Sequence, residues 1–468
     1  MKRIAVLMMA ACLPLCAAEL AVGWAQVSIT PDKPVPLAGQ FHTRVSRFVH
    51  DPVTATVLAI TSGSEQAVLI SLDVVAVDRR LMESLRTRLK TTLPEFDSRK
   101  LILNATHTHT APEMREGNYQ IPDGVLKPSE FVEFLTDRVG GAVVEAWKSR
   151  RPAGISWALG HAVVGYNRRS VMADGKATMY AKLDRPEFMG FEGYEDHAVE
   201  LLFFWTPERK LTGIGVNLAC PSQVVEGQYY ISADFWDDTR KQLRARYGSD
   251  LFVLPMVSAA GDQSPHVQLR KAAEARMRQR LNISETAQIA RRITHAVEEV
   301  YPAAAADVRT EVPFMHRTEE LRLPVRKVTL AEMESAKAEY ARLEKAPATQ
   351  ANRFVLMNRA RKVMERYRTQ DSAPEYPIEL HVIRLGDVAL ATNPFELFLD
   401  YGLRMKARSR AEQTFLVQLA CGTSGYLPTA KAVAAGGYGA EVASNQVGPE
   451  GGQMLVDRTV AVINSLFE

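Results

Sequence analysis

The sequence predicts an α/β (α+β) protein: a central mixed sheet flanked by helices, with helical-hairpin insertions. Three observations point there. Runs rich in Val, Ile and Leu alternate with runs of helical period over most of the chain. The apolar runs are too many for a helical bundle. No fixed-period repeat and no Ser/Gly-rich linker divides the chain, so residues 26–468 read as one large domain.

The elements follow in order. Lys2 and Arg3 precede an apolar stretch from Ile4 to Ala18, broken by Pro14, with small residues at Ala18 and Ala25. That pattern predicts a secretory signal peptide over residues 1–25 and an exported protein, periplasmic or secreted. The apolar run is too short to span a membrane. A lipoprotein signal ending at Cys12 is the lesser alternative, because so few apolar residues precede it. Thr54 to Ile60 and Ala67 to Val77 read as buried strands. Asp78 to Leu93 reads as a helix with Leu81, Leu85 and Leu89 on one face, ended by Pro94. Leu101 to Ala105 is a strand, and Ser129 to Trp147 a helix. Further strands fall at Val199–Trp205, Thr212–Ala219, Leu251–Ser258, Leu380–Leu385, Val388–Thr392 and Thr414–Ala420. Helices near Arg270–Leu281 and Glu285–Val300, and a hairpin of Leu330–Leu343 with Ala351–Tyr367, read as insertions. Thr329 and Glu332 have capping-box spacing at the start of that hairpin. It serves as packing mass or as a lid. A last helix lies between Gly451 and Glu468.

Composition narrows the function. The chain is 46% apolar and 24% charged, with a formal charge of +3. That balance gives no argument for nucleic acid, and the mixed basic runs at Arg270–Arg280 and Arg359–Arg368 read as solvated helix faces. No basic amphipathic helix makes a persuasive membrane foot, so any membrane contact is peripheral.

Two segments carry chemistry. Leu101 to Met114, LILNATHTHTAPEM, runs a buried strand into His107-Thr108-His109. Residues two apart in extended chain share a side, so both imidazoles face one volume at a strand end. Two such histidines can share a metal, or one binds it while the other contacts substrate. Val257 to His266, VSAAGDQSPH, leaves another apolar strand through a tight turn at Gly261-Asp262. Pro265 stiffens the chain beside Ser264, which suits a nucleophile. Either motif alone is also consistent with ordinary strand-end and turn residues.

Together the two motifs resemble the neutral (non-lysosomal) ceramidase family, with its A-T-H-T-H strand end and G-D-x-S-P turn, here Ala105–His109 and Gly261–Pro265. The resemblance continues in order through SLDVV at Ser71–Val75, YNRR at Tyr166–Arg169 and ISADF at Ile231–Phe235. It ends with NPFELFLDYGLRM at Asn393–Met405, GYLPT around Tyr426, and Tyr438. It implies a ceramidase-like hydrolase domain over residues 26–468, without the family's further C-terminal β-sandwich. It also implies an N-acyl amide hydrolase acting on ceramide or another lipid-like amide. By the same resemblance, Ser264 is the nucleophile, while His109, Arg168 and Tyr438 bind substrate and oxyanion. Zinc is held by His107, Glu396 and Tyr426, and activates a water that deprotonates Ser264.

One position departs. Where the family has a second zinc histidine, the stretch Asn217–Gln223 places Pro221, which offers no ligand. Three assignments stay open: Cys220 as a thiolate ligand, His266 in its place, or no zinc, with His107, His109 and Glu396 acting on Ser264 directly. A non-catalytic or altered-substrate binding protein on a scaffold that has lost its zinc is the alternative function. Cys220 and Cys421 each lie within a few residues of these segments. They are therefore expected to be neighbours, able to form a disulfide within the ~7 Å Cα limit, with two ordinary buried thiols as the alternative.

Overall fold

The computed structural model describes residues 19–468, so the expected leader lies outside the described residues up to Ala18. The strands form not one central sheet but three larger mixed sheets. The first runs in the order Leu101–Ala105, Glu65–Leu72, Thr54–Ser62, Ala21–Ser28, Arg151–Pro152. The second is Phe252–Val257, Leu211–Leu218, Ala198–Trp205, Gly154–His161, and the third Phe314–Pro324, Glu375–Leu385, Val388–Thr392, Gln413–Val417. Each contains antiparallel neighbours and one parallel pair.

The three sheets turn one face inward onto a shared core. Leu58 and Ile102 of the first meet Phe204 and Met256 of the second, and Ile383 and Phe415 of the third. Each outer face is covered by helices. Arg79–Thr92 and Pro128–Lys148 cover the first, Phe235–Tyr247 and Glu285–Ala306 the second, and Leu399–Arg408 and Pro449–Ser465 the third. Burial on both faces explains why strands such as Thr54–Ser62, Ala198–Trp205 and Val388–Thr392 read as unbroken apolar runs rather than alternating ones.

The described residues include the last part of the stretch read as a leader. Ala21–Ser28 is an interior strand, paired with Thr54–Ser62 (Trp24 opposite Leu58), and Trp24 is buried against Phe204 and Phe252. Cleavage after Ala25 would cut that strand in two, whereas cleavage after Ala18 would leave it whole. A short apolar stretch beside small residues reads the same in a leader's tail as in a strand; the pairing partner decides. The strand expected from Ala67 to Val77 ends at Leu72, where Asp73 turns inward to a bidentate pair with Arg240 at 2.8 and 2.9 Å. That buried pair pins the helix Phe235–Tyr247 to the first sheet.

The hairpin Leu330–Glu344 and Arg353–Thr369 forms as expected, with Thr329 and Glu332 capping each other's backbone at 3.2 and 2.9 Å. Among the described residues no helix is long and apolar enough to cross a membrane.

Two buried carboxyls make stability depend on pH. Burial raises Asp51 to about 6 despite hydrogen bonds from Ser232 and Ala233. Burial likewise raises Asp234, the N-cap of Phe235–Tyr247, to about 7. Because both folded values lie above the ordinary 3.8, their stabilising contribution is complete below that value. It is lost as pH rises through about 6 and about 7. The urea midpoint should therefore slope downward across that window, and Asp234→Asn should flatten the slope. A wild-type profile flat from pH 5 to about 8 would contradict this linkage.

Candidate active site

Four segments leave the carboxyl ends of parallel-paired strands and meet. Leu101–Ala105 delivers His107 and His109, Phe252–Val257 delivers the Gly261–Ser264 turn, Val388–Thr392 delivers Glu396, and Gln413–Val417 leads to Tyr426. Strand ends of this kind are where open sheets hold ligands.

The alternation in His107-Thr108-His109-Thr110 is realised physically. Thr108 and Thr110 donate their hydroxyls to the Ser232 carbonyl at 2.9 and 3.0 Å. The two imidazoles turn the other way and meet edge to face, 4.8 Å between centroids. His107 takes a left-handed backbone (φ 67), and its Nδ1 donates to the Val75 carbonyl at 2.6 Å, so Nε2 is left bare. That nitrogen lies 3.3 Å from His109 Nε2 and 3.4 Å from Glu396 Oε2. The Gln223 amide reaches His109 Nε2 at 2.9 Å, and His109 Nδ1 faces Glu226 Oε2 at 3.3 Å without a directed hydrogen bond. Buried Arg44 fixes the His109 carbonyl at 2.6 Å, and Gly39 (φ +91) packs on the ring where a Cβ would stand 2.3 Å away.

Burial, with His107 and the nearby Arg44 and Arg168, holds His109 well below the ordinary imidazole value, so the ring is neutral near pH 7. Burial pushes Glu396 upward, but His107, Tyr426 and Arg168 outweigh it and hold the carboxyl below its usual range. The bare Nε2 of His107 and the ionised Glu396 carboxylate thus face one another, an arrangement that a shared cation satisfies. With the Tyr426 phenol alongside, the donor set suits zinc.

Glu396 and Tyr426 are brought together by backbone: they are opposite one another in a short parallel bridge. Arg168 donates to the Tyr426 hydroxyl at 3.1 Å and to the Gly261 carbonyl at 2.8 Å, with its guanidinium 5.5 and 5.9 Å from the rings of Tyr426 and Tyr438. Burial first, then Glu396, lifts both phenols above their ordinary value, so they are neutral donors. His107, His109, Glu396, Tyr426 and Tyr438 line one cavity of about 600 Å³. The insertion hairpin supplies part of its wall through Val355, Arg359 and Lys362.

Ser264 stands behind this wall rather than on it. Its side chain is fully buried, and Oγ accepts hydrogen bonds from the Tyr180 hydroxyl (2.8 Å) and the His266 amide (3.0 Å). Its turn is nevertheless built onto the site. Gly261 donates to the Leu397 carbonyl at 2.8 Å and approaches Glu396 so closely that a Cβ would lie 2.3 Å from that carbonyl oxygen. Asp262 accepts from the Leu399 amide at 2.9 Å.

The two candidate substitutes for the missing histidine lie at different distances from the site. Cys220 Sγ donates to the Val164 carbonyl at 3.3 Å and packs in the outer core of the second sheet, where burial raises the thiol well above its ordinary value. Next in register to Pro221, it faces away from the site. His266 Nε2 meets Glu226 Oε1 at 3.1 Å, and Glu226 in turn faces His109 rather than His107. Among the described residues Cys220 and Cys421 are free thiols, and Cys421 packs elsewhere, against the first and shared cores, so the expected disulfide between them is absent. Residues the sequence did not single out complete the network: Gln223 and Glu226 beside His109, Tyr180 on Ser264, and Arg44 beneath. All lie outside long periodic segments. Gln223, two residues beyond Pro221, was the nearest to a signal.

Fold and site together define an α/β protein with a His/Glu/Tyr/Arg pocket at the carboxyl ends of its strands. The same fold is found in neutral ceramidase from Pseudomonas aeruginosa: TM-score 0.69, covering 96% of this chain and 75% of that one at 17% identity. A ceramidase structure described as complexed with C2 gives TM-score 0.67, covering 96% and 76% at 16% identity. At such identity the likeness establishes the fold. No protein-family model and no curated protein sequence matches the chain.

Proposed function

We propose that the chain is an exported N-acyl amide hydrolase, acting on ceramide or another lipid-like amide with Ser264 as nucleophile. What carries this reading is the meeting of His107, His109, Glu396, Tyr426 and Tyr438 on one cavity, with Arg168 behind Tyr426 and the Ser264 turn locked to the Glu396 segment. In this reading Ser264 Oγ attacks the amide carbonyl and takes the acyl group. The amine leaves with a proton, and water then frees the acid. Arg168 and Tyr438 donate to the developing oxyanion, and neutral His109 orients the substrate. His107, Glu396 and Tyr426 would hold a zinc ion, which supplies Lewis acidity beside the carbonyl when bound. The wall is polar, with Lys362 beside Arg115 and Arg359, which are paired with Glu113 and Glu441, and it favours an amide with a polar head over a wholly apolar one.

The burial of Ser264 supports a second reading, a metallohydrolase in which that serine only braces the turn. A panel of N-acyl sphingoid bases and N-acyl amino acids, assayed with and without chelator, tests both. Turnover should be abolished by chelation and restored by zinc. An amide panel with no turnover in any metal condition would favour a non-catalytic binding protein.

A further inference from the structure

A second cluster lies apart from the ligands named above. Among the described residues, Glu379, His381 and Cys421 form a group whose ligand atoms all lie within 4.8 Å of one another. Glu379 and His381 belong to the strand Glu375–Leu385. Cys421 begins the loop that ends at Tyr426, its amide held by the Leu103 carbonyl at 2.8 Å.

The hydrogen-bond polarity around His381 does not close with neutral rings. His316 Nδ1 lies 3.0 Å from the Gln66 carbonyl, which can only accept, so that nitrogen carries a proton. His316 Nε2 is then an acceptor for His381 Nδ1–H at 2.9 Å. His381 Nε2 is left bare, yet it faces Glu379 Oε1 at 2.5 Å. Two acceptors face each other, and a cation shared by them, a proton or a metal ion, satisfies both.

We propose that Glu379, His381 and Cys421 form a metal site for a borderline divalent ion such as zinc, separate from the His107 cluster. Imidazole, carboxylate and thiolate are the donors zinc takes. The thiol loses its proton to solvent on binding. Carboxylate and thiolate charges together offset the ion, while Arg86 keeps its two contacts to Glu379. Glu379 and Cys421 line a cavity of about 570 Å³ together with Arg86 and His316. That cavity shares Tyr376, Thr423 and Ser424 with the candidate active-site cavity. An ion here ties the root of the Tyr426 loop to the third sheet.

Cobalt(II) titration of the full chain tests this. The wild type should develop an intense near-ultraviolet sulfur-to-cobalt charge-transfer band, displaced by excess zinc. The band should vanish in Cys421→Ser and His381→Ala and persist in Cys220→Ser and His107→Ala. Folded wild type, verified by circular dichroism, that shows no such band overturns the proposal, as does a band that survives Cys421→Ser.

Discussion

Ser264→Ala is expected to lower kcat/KM for N-acyl amide hydrolysis by about 10³-fold or more, the scale on which removal of a covalent nucleophile registers. The same change should abolish fluorophosphonate labelling. The environment makes the experiment informative beyond the deletion itself. Oγ accepts from Tyr180 and from the His266 amide, so alanine leaves two donors unpaired in a buried site, at about 1–3 kcal/mol. Part of any lost activity could thus come through a loosened turn. Tyr180→Phe separates the contributions: it removes one donor and keeps the serine, so it should preserve labelling while sharing some of the stability loss. If Ser264→Ala retains more than roughly a tenth of wild-type kcat/KM, too little to fit loss of a nucleophile, the serine is a brace and the metallohydrolase reading takes its place.

The site was more legible in the sequence than the architecture around it. Ala105–His109 and Gly261–Pro265 could be read because a buried strand running directly into closely spaced polar residues leaves those side chains little freedom. Alternation then fixes which of them share a side, as the threonines on Ser232 and the paired imidazoles illustrate. Sheet number was not legible. The same apolar runs fit one sheet or three, and the choice is made by pairings such as Leu218 with Val257 that are distant in sequence. The cysteine pairing failed for a related reason: closeness to a site along the chain does not fix direction, and one residue of register turns Cys220 into the outer core. Glu226 and Gln223 reach His109 from a loop, where no period marks a side chain as inward.

The largest stability effect is expected at Glu192. Arg169, next in sequence to Arg168, is fully buried and paired bidentately with Glu192 at 2.6 and 3.0 Å. It also donates to the carbonyls of Gly436 (2.7 Å), Tyr438 (3.0 Å) and Ala432 (3.3 Å), so this one guanidinium fastens the loop that carries Tyr438. Glu192→Ala would leave the cation buried among carbonyl dipoles with no counter-charge, a loss of about 3–5 kcal/mol. The double change Arg169→Met with Glu192→Leu removes both charges and should recover much of that stability, since an apolar pair carries no desolvation cost. It cannot restore the carbonyl contacts. The double variant should therefore fold well yet bind substrate poorly, because Tyr438 has lost its backbone anchor. Urea midpoints of both variants, read beside KM and kcat, check the argument. A loss below about 1 kcal/mol for Glu192→Ala would mean that water reaches the pair, as it does at exposed ion pairs. In that case Tyr438 must be positioned by its contacts with Phe41 and Tyr426 instead.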